Sequence, residues 1–223
     1  YIAELNDMIY GIMRRRRQQT NPPHDLLQIL MEARYDDGTP MSDEQIRDEV
    51  MTVFVAGHET TVNALSWTWY LLKKNTDCEK KLLEESKQFA QTNPSFADVA
   101  QLKYGWCVMN EAMRVYPPVP AIGRAVKSDE EVGGYTLKKG RSAVINIAGL
   151  HHHPAYWETP SAFKPERFAN FDLKGDNRFV FMPFGAGPRI CIGNNFAMLE
   201  MKIINAMLSS RVEMELVSTD IEP

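Results

Sequence analysis

The chain has 223 residues, 44% of them hydrophobic, enough to bury a sizeable core as one large domain or as part of one. A net charge of −4 and a pI near 5.8 speak against nucleic acid as the main partner. Three widely spaced cysteines, Cys78, Cys107 and Cys191, make no disulfide framework, so a reducing compartment is the expectation; no apolar run is long enough to span a bilayer, and a cytoplasmic location is expected, with a membrane anchor upstream of residue 1 as the alternative.

In chain order, Ile2, Leu5, Met8, Ile9 and Ile12 recur at helical spacing and predict a helix over residues 1–18. The Arg14–Arg17 run reads as its solvated end, and NPPHD stops it. A short helix in DLLQILMEAR and a DDGTP turn follow. Ser42 then caps a long helix, with Asp43, Glu44 and Gln45 in the first turn, where acidic groups suit the positive end of the dipole. Its apolar stripe, Ile46, Val50, Val53, Phe54, Ala64, Leu65, Trp67 and Leu71, carries it to about Lys74, long enough to be central. A charged, exposed helix is expected from Asp77 to about Gln91, and another over residues 97–116, stopped by YPPVP. The pattern then shifts. EVGGYTLKKG reads as a hairpin, RSAVINIAGL as a strand and residues 154–190 as a structured meander. A last helix covers Asn194 to about Ser210, with Phe196, Ala197, Met198, Met201, Ile204 and Leu208 inward. The chain opens in helical pattern without an initiator methionine and stops soon after the strand-like VEMELV. We expect a piece of a longer protein, lacking an N-terminal part and the extreme C-terminus.

FGAGPRICIG, Phe184 to Gly193, places a lone thiol among three glycines, just before the last helix. A negative sulfur at that position is favoured by the helix dipole and its free amides. Gly185, Gly187 and Gly193 let the backbone turn tightly and approach something flat and bulky. Arg189 could pair with an acidic group at the edge of such a ligand. A single soft sulfur suits iron in a porphyrin better than zinc, which would want further Cys or His nearby. Cys78 and Cys107 read as structural cysteines.

Phe184-x-x-Gly187-x-Arg189-x-Cys191-x-Gly193 resembles the haem-binding loop of the cytochrome P450 family, the haem-thiolate monooxygenases. A second segment agrees. Gly57 interrupts a helix interior at a cost of about 1 kcal/mol, and with Ala56 it strips one turn of bulk, making room for a planar cofactor. AGHETT, Ala56 to Thr61, looks like the family's central-helix motif, small–Gly–x–acidic–Thr. Carried across, Thr60 is the oxygen-activating alcohol and Glu59 its neighbouring acid, while His58 fills a variable position. The Thr60 hydroxyl either bonds back to the Ala56 carbonyl or turns outward to pass protons to dioxygen.

Glu111 and Arg114 share one helix face, as do Glu44 and Arg47, but the first pair ends an apolar helix rather than opening a polar one. With PERF, residues 165–168, they resemble the family's Glu-x-x-Arg helix and meander arginine. The resemblance implies a buried structural triad of Glu111, Arg114 and Arg167 behind the cysteine loop. Arg124, after YPPVPAIG, matches a position that often sends a basic side chain to a haem propionate, and Arg189 is implied to do likewise; each could instead make a surface salt bridge. Consecutive histidines do not converge on one ion, so His151 to His153 read as something other than zinc ligands, and the resemblance gives one of them a contact at the haem edge.

The resemblance covers nearly the whole chain and implies a mainly α fold with a small β part, running from the long central helix to the cysteine-ligand loop and the helix after it. Residues 1–223 are then part of a single cytochrome P450 haem domain. Haem b (iron protoporphyrin IX) is implied between the long helix and the cysteine loop, with Cys191 as axial ligand and Phe184, Gly187, Gly193, Ala56 and Gly57 around it. The implied activity is a monooxygenase: one atom of dioxygen enters a small apolar organic substrate, weakly preferred as fatty-acid- or terpenoid-like. Val53, Phe54 and Val119 to Ile122 are pocket lining or plain core. Electrons derived from NAD(P)H are implied to arrive through a ferredoxin- or flavin-type redox partner, with Lys138, Lys139 and Arg141 as candidate docking charges. A peroxide-driven hydroxylase of the same fold and a non-catalytic haem-binding protein are the alternatives.

Overall fold

The computed structural model describes residues 2–173, 175–218 and 221, apart from the side chain of Asp176. The protein is mainly helical with a small β part, and it divides into two compact units, residues 1–59 and 60–223, each with its own core.

The first unit contains α1 (Ile2–Arg17), α2 (Leu26–Glu32) and the opening of α3 (Asp43–Lys74). Ile9 and Met13 on α1 and Ile46 on α3 are buried together, with Leu27 and Leu30 of α2 packed against them. The arginine run is not merely a solvated helix end. Arg16 grips Asp25 through two hydrogen bonds of 2.6 and 2.7 Å, and Arg17 pairs with Asp43. Asp25 also caps α2 by accepting from the Gln28 amide at 3.0 Å, and the Arg16 guanidinium lowers its carboxyl to about 2. One carboxylate thus fixes where α1 ends and α2 begins. Ser42 accepts from the Gln45 amide at 3.2 Å and starts α3.

In the second unit the rest of α3 is followed by α4 (Thr76–Ser86), a 3-10 turn at Lys87–Phe89, α5 (Phe96–Gln101) and α6 (Lys103–Val115). One helix was expected over residues 97–116; two are found, separated at Leu102 (φ −74°, ψ 73°). The cause lies on another helix. Glu85 of α4 accepts from the Tyr104 amide at 2.7 Å and the Gly105 amide at 2.8 Å, so a carboxylate from a distant segment satisfies a new helix start. α4 is also less exposed than its charge suggests, because Leu82 and Ser86 are buried.

Beyond α6 come β1 (Ala121–Ala125), β2 (Glu130–Val132), β3 (Tyr135–Leu137), β4 (Ser142–Asn146) and α7 (Ile147–His151). β2 and β3 form the expected hairpin across Gly133–Gly134. β1 was not foreseen: it follows prolines directly, and Ile122 is its only β-branched residue. It pairs antiparallel with β4, Gly123 opposite Val144 and Arg124 opposite Ala143. RSAVINIAGL is therefore half strand and half helix. Asn146 ends the strand by accepting from the Gly149 amide at 2.9 Å, and a Cβ on Gly149 would lie 2.5 Å from the Asn146 side chain. Residues 212–216 of VEMELV form no strand.

The meander holds 3-10 turns at Pro165–Phe168 and Gly175–Phe179, and a third lies at Gly187–Arg189 within the cysteine loop. Its aromatics make their own core: Trp157, Phe168 and Phe181 are buried with Cys107, and the Phe168 and Phe181 rings lie 4.7 Å apart. α8 (Asn194–Arg211) buries Met201, Asn205, Ala206 and Ser209. Phe196, expected inward, is 69% exposed, because five residues before Met201 it points away from that face. No described helix is long and apolar enough to cross a membrane.

Replacing Glu85 with Gln leaves one acceptor for two amides at the start of α6. The variant should lose about 1–3 kcal/mol in urea unfolding, whereas Glu84→Gln, on the exposed side of α4, should change stability little.

Candidate functional site

The cysteine loop begins where Phe184 sinks into a methionine-rich cluster of Ala64, Met109, Met113 and Met201. Ala64 lies one helical turn beyond Thr60 on α3, so that turn and the loop's first residue share a core. After Phe184 the backbone reverses through Gly185 (φ +74°) and Gly187 (φ +73°), a region that side chains other than glycine's rarely tolerate. The Cys191 amide then donates to the Phe184 carbonyl at 2.9 Å, closing the loop on itself.

α8 starts at Asn194 with Gly193 as its N-cap and no side-chain cap. Cys191 therefore precedes a helix start that its N-cap residue does not satisfy, although the Asn195 amide there donates to the Asn194 Oδ1 at 2.6 Å. Its sulfur lies 3.9 Å from where a Cβ on Gly193 would sit, so any side chain there would touch it. Cys191 is exposed, Cys107 is buried and Cys78 is half-buried; all three are free thiols.

α6 and the PERF turn share a buried ion cluster. Arg114 and Glu111 are both fully buried, and the Arg114 Nε and Nη2 each donate to Glu111 at 2.8 Å. The other Arg114 donors reach backbone oxygens: Nη1 to His151 at 2.9 Å and Pro160 at 2.8 Å, Nη2 to Ala162 at 3.1 Å. All five N–H groups of the guanidinium are thus taken. Glu111 also accepts from the Lys164 amide at 2.8 Å and from Arg167 Nε at 3.3 Å. Arg167 continues to the Thr159 carbonyl at 3.0 Å. The pair with the same sequence spacing behaves otherwise: Arg47 turns to Asp48 at 2.9 Å and to Asn6.

Sequence reasoning missed the part played by His151. The three histidines turn to three different backbone groups: His151 Nε2 accepts from the Met182 amide at 2.9 Å, His152 Nδ1 lies 3.0 Å from the Ala148 carbonyl, and His153 Nδ1 accepts from the Ala155 amide. His151 is fully buried against Phe181, with ring centroids 5.0 Å apart, so it is part of the core. Burial pushes its pKa down to about 4. The only sequence sign was its place in a run that could not converge on a metal.

The remaining named residues are spread out. Arg124 is exposed on β1 and donates to the Gly123 carbonyl at 2.8 Å. β1 passes close to the loop, because Ile122 Cδ1 lies 4.0 Å from where a Cβ on Gly185 would be. Ala56, Gly57 and Glu59 end the first unit on an exposed stretch of α3, with nothing within 4 Å of a Cβ built on Gly57. Val53 and Phe54 are exposed as well, at 44% and 59%. A cleft of about 810 Å³ is lined by Phe184, Gly187 and Ile190 of the loop together with Trp106, Phe181 and Met198; none of the residues named from the sequence as pocket lining belongs to it.

The cytochrome P450 family model matches residues 1–223. The chain belongs to the cytochrome P450 family. Cytochrome P450 4V2 of Mus musculus is 39% identical over 185 residues, covering 82% of this chain and 35% of the relative. Cytochrome P450 4ae1 of Drosophila melanogaster is 34% identical over 232 residues, covering 98% and 47%. Cytochrome P450 4F2 of Homo sapiens is 36% identical over 188 residues, covering 82% and 36%. The chain spans about a third to a half of the length of these relatives.

Cytochrome P450 membership implies haem, and the residues present fit it. The exposed thiol of Cys191 is flanked by Ile190, 50% exposed, and Ile192, 98% exposed, an apolar surface suited to a flat apolar ring. The Arg189 side chain makes no hydrogen bond or ion pair among the described residues, leaving a cation available for an acidic edge group. One sulfur for the iron, an apolar wall for the ring and a guanidinium for an acidic edge group suit a porphyrin.

Arg114→Lys keeps the charge but supplies three donors where five are used. It should destabilise the protein by about 3–5 kcal/mol, nearly as much as Arg114→Ala, and equilibrium unfolding of the two variants side by side checks this.

Proposed function

We propose that the protein is a haem-thiolate monooxygenase in which Cys191 is the axial ligand of haem b. The observation that carries this reading is the loop itself: an exposed thiol at an uncapped helix start, in a backbone closed by the Cys191–Phe184 hydrogen bond, within a chain of this family. When bound, haem supplies the one-electron and dioxygen chemistry that puts one oxygen atom into an organic C–H bond and reduces the other to water, with two electrons and two protons consumed.

The chain's own residues have separable tasks in this reading. Gly185 and Gly187 keep the loop free of side-chain bulk, and Gly193 keeps the sulfur clear. The positive end of α8, whose N-cap residue offers no side-chain acceptor, favours the anionic sulfur. Arg189 and Arg124 take the acidic edge groups of the porphyrin. The Thr60 hydroxyl, with Glu59 beside it, holds and passes protons toward dioxygen. Ala56 and Gly57 keep their turn of α3 slim. The Glu111, Arg114 and Arg167 cluster holds the segments that lead into the loop.

The substrate is a small apolar molecule, fatty-acid- or terpenoid-like by the resemblance of AGHETT and LHHHP. Electrons come from NAD(P)H through a ferredoxin- or flavin-type partner, separate or fused. Of the three candidate docking charges, Lys138 already pairs with Asp129 at 2.8 Å, which leaves Lys139 and Arg141 as the freer cations of that hairpin. A cytoplasmic location belongs to the same proposal.

In the full-length, haem-loaded protein, the reduced carbon monoxide complex should show the red-shifted Soret band of a thiolate ligand, and Cys191→His should abolish it; an unchanged band in the variant contradicts the reading. Thr60→Ala should keep that band and continue to consume dioxygen, while hydroxylated product falls by about 10²-fold.

A further inference from the structure

His151 is a buried titratable group that the proposed chemistry does not use. Its ring is wedged between α6 and the segment leading into the cysteine loop. On one side Nε2 accepts the Met182 amide at 2.9 Å, and on another the ring leans on Phe181 at an interplanar angle of 32°. Its backbone carbonyl is held by Arg114 Nη1 at 2.9 Å. Met182 in turn sits at the base of the loop: its carbonyl accepts from the Gly185 amide at 3.1 Å, and two residues on, the Phe184 carbonyl accepts the Cys191 amide. The path from Arg114 to the cysteine backbone therefore passes through one imidazole acceptor.

We propose that His151 is a positioning residue for the cysteine loop, holding the Met182 amide through an unprotonated Nε2 and releasing it when that nitrogen gains a proton. The tautomer follows from the hydrogen bond. An amide N–H can donate only to a bare ring nitrogen, so Nε2 is bare and the proton resides on Nδ1. Nδ1 has no hydrogen-bond partner among the described residues, and the backbone of Met113 and Arg114 on α6 raises the ring's proton affinity. A proton arriving from solvent at Nε2 sets an N–H against the Met182 N–H and places a second cation in a site already holding Arg114.

The charges facing the ring are few. From α6 come Arg114, which disfavours a second cation, and Glu111, whose oxygens are already engaged by Arg114, Arg167 and Lys164. From α7 comes His152, which also lowers the ring's proton affinity. Residues 181–184 contribute no titratable group. Burial is the largest cause of a folded-state pKa near 4, against 6.5 for an ordinary histidine. Because the folded value is the lower one, the neutral ring's stabilisation is complete above the ordinary value and drains away as pH falls through the folded one.

The test is amide hydrogen exchange at Met182 in the full-length, haem-loaded protein, expressed as protection relative to the unstructured peptide, from pH 8 down to 4. Three proteins are compared: wild type, His151→Gln and His151→Asn. Gln carries an acceptor four bonds from Cα, where Nε2 stands; Asn carries one only where Nδ1 stands. We expect Met182 protection in the wild type to fall by about tenfold or more toward pH 4 while core amides such as Leu72 and Val108 stay protected. His151→Gln should remain protected across the range, and His151→Asn should already be unprotected at pH 7. Flat wild-type protection, loss only together with the core amides, or equal protection in the two variants overturns the proposal. Exchange at this amide is read independently of the sulfur–iron assignment, so a failure here is distinguishable from a failure of the proposed function.

Discussion

The structure depends above all on one guanidinium. Arg114 is fully buried, and a buried cation is tolerable only where charge and hydrogen bonding are both answered. Here Glu111 answers the charge, while the carbonyls of residues 151, 160 and 162 take the remaining donors. Those three carbonyls lie on segments far from α6 in sequence. Each has to come to the guanidinium, so the position of Arg114 dictates where α7 ends and how the meander begins. A lysine has too few donors to organise three backbone segments at once. The choice of arginine is a statement about geometry as much as charge.

From that node order spreads outward in two directions. Arg167 and the Lys164 amide extend it to the PERF turn, whose Phe168 anchors an aromatic core with Trp157 and Phe181. His151 extends it to Met182 and so to the base of the cysteine loop. The loop needs this outside support. Its glycines have the greatest backbone freedom to lose on ordering, Ile190 and Ile192 contribute little burial, and one backbone hydrogen bond closes it. A segment so thin is fit to lie against a planar cofactor, and it keeps its shape because Phe184 at one end and α8 at the other are packed.

How much of this was legible in the sequence follows from how local each determinant is. The cysteine loop is one contiguous stretch, and its glycines and the helix that follows mark the turns and the helix start that the structure shows, so its shape could be read directly. The long α3 and the Gly-Gly hairpin also carry their signals within a few residues. What stayed hidden was decided across the chain. Glu85 looks like any glutamate on a charged helix, yet it splits the expected helix over residues 97–116 by capping Tyr104 and Gly105. β1 exists because β4 pairs with it, and β4 stops because Asn146 finds Gly149. Phe196 read as inward because apolarity was taken for burial, whereas an exposed face beside a cofactor loop is also apolar. His151 was hidden because its partner is the Met182 amide, 31 residues further on, and nothing within the histidine run points to it.

The central claim is that this scaffold holds the sulfur of residue 191 where porphyrin iron can bind it. X-ray absorption at the iron edge of the full-length, haem-loaded protein tests that most directly. The account predicts one sulfur atom at bonding distance from iron in the native protein and none in Cys191→Ser. An iron surrounded only by nitrogen and oxygen in the native protein would contradict it.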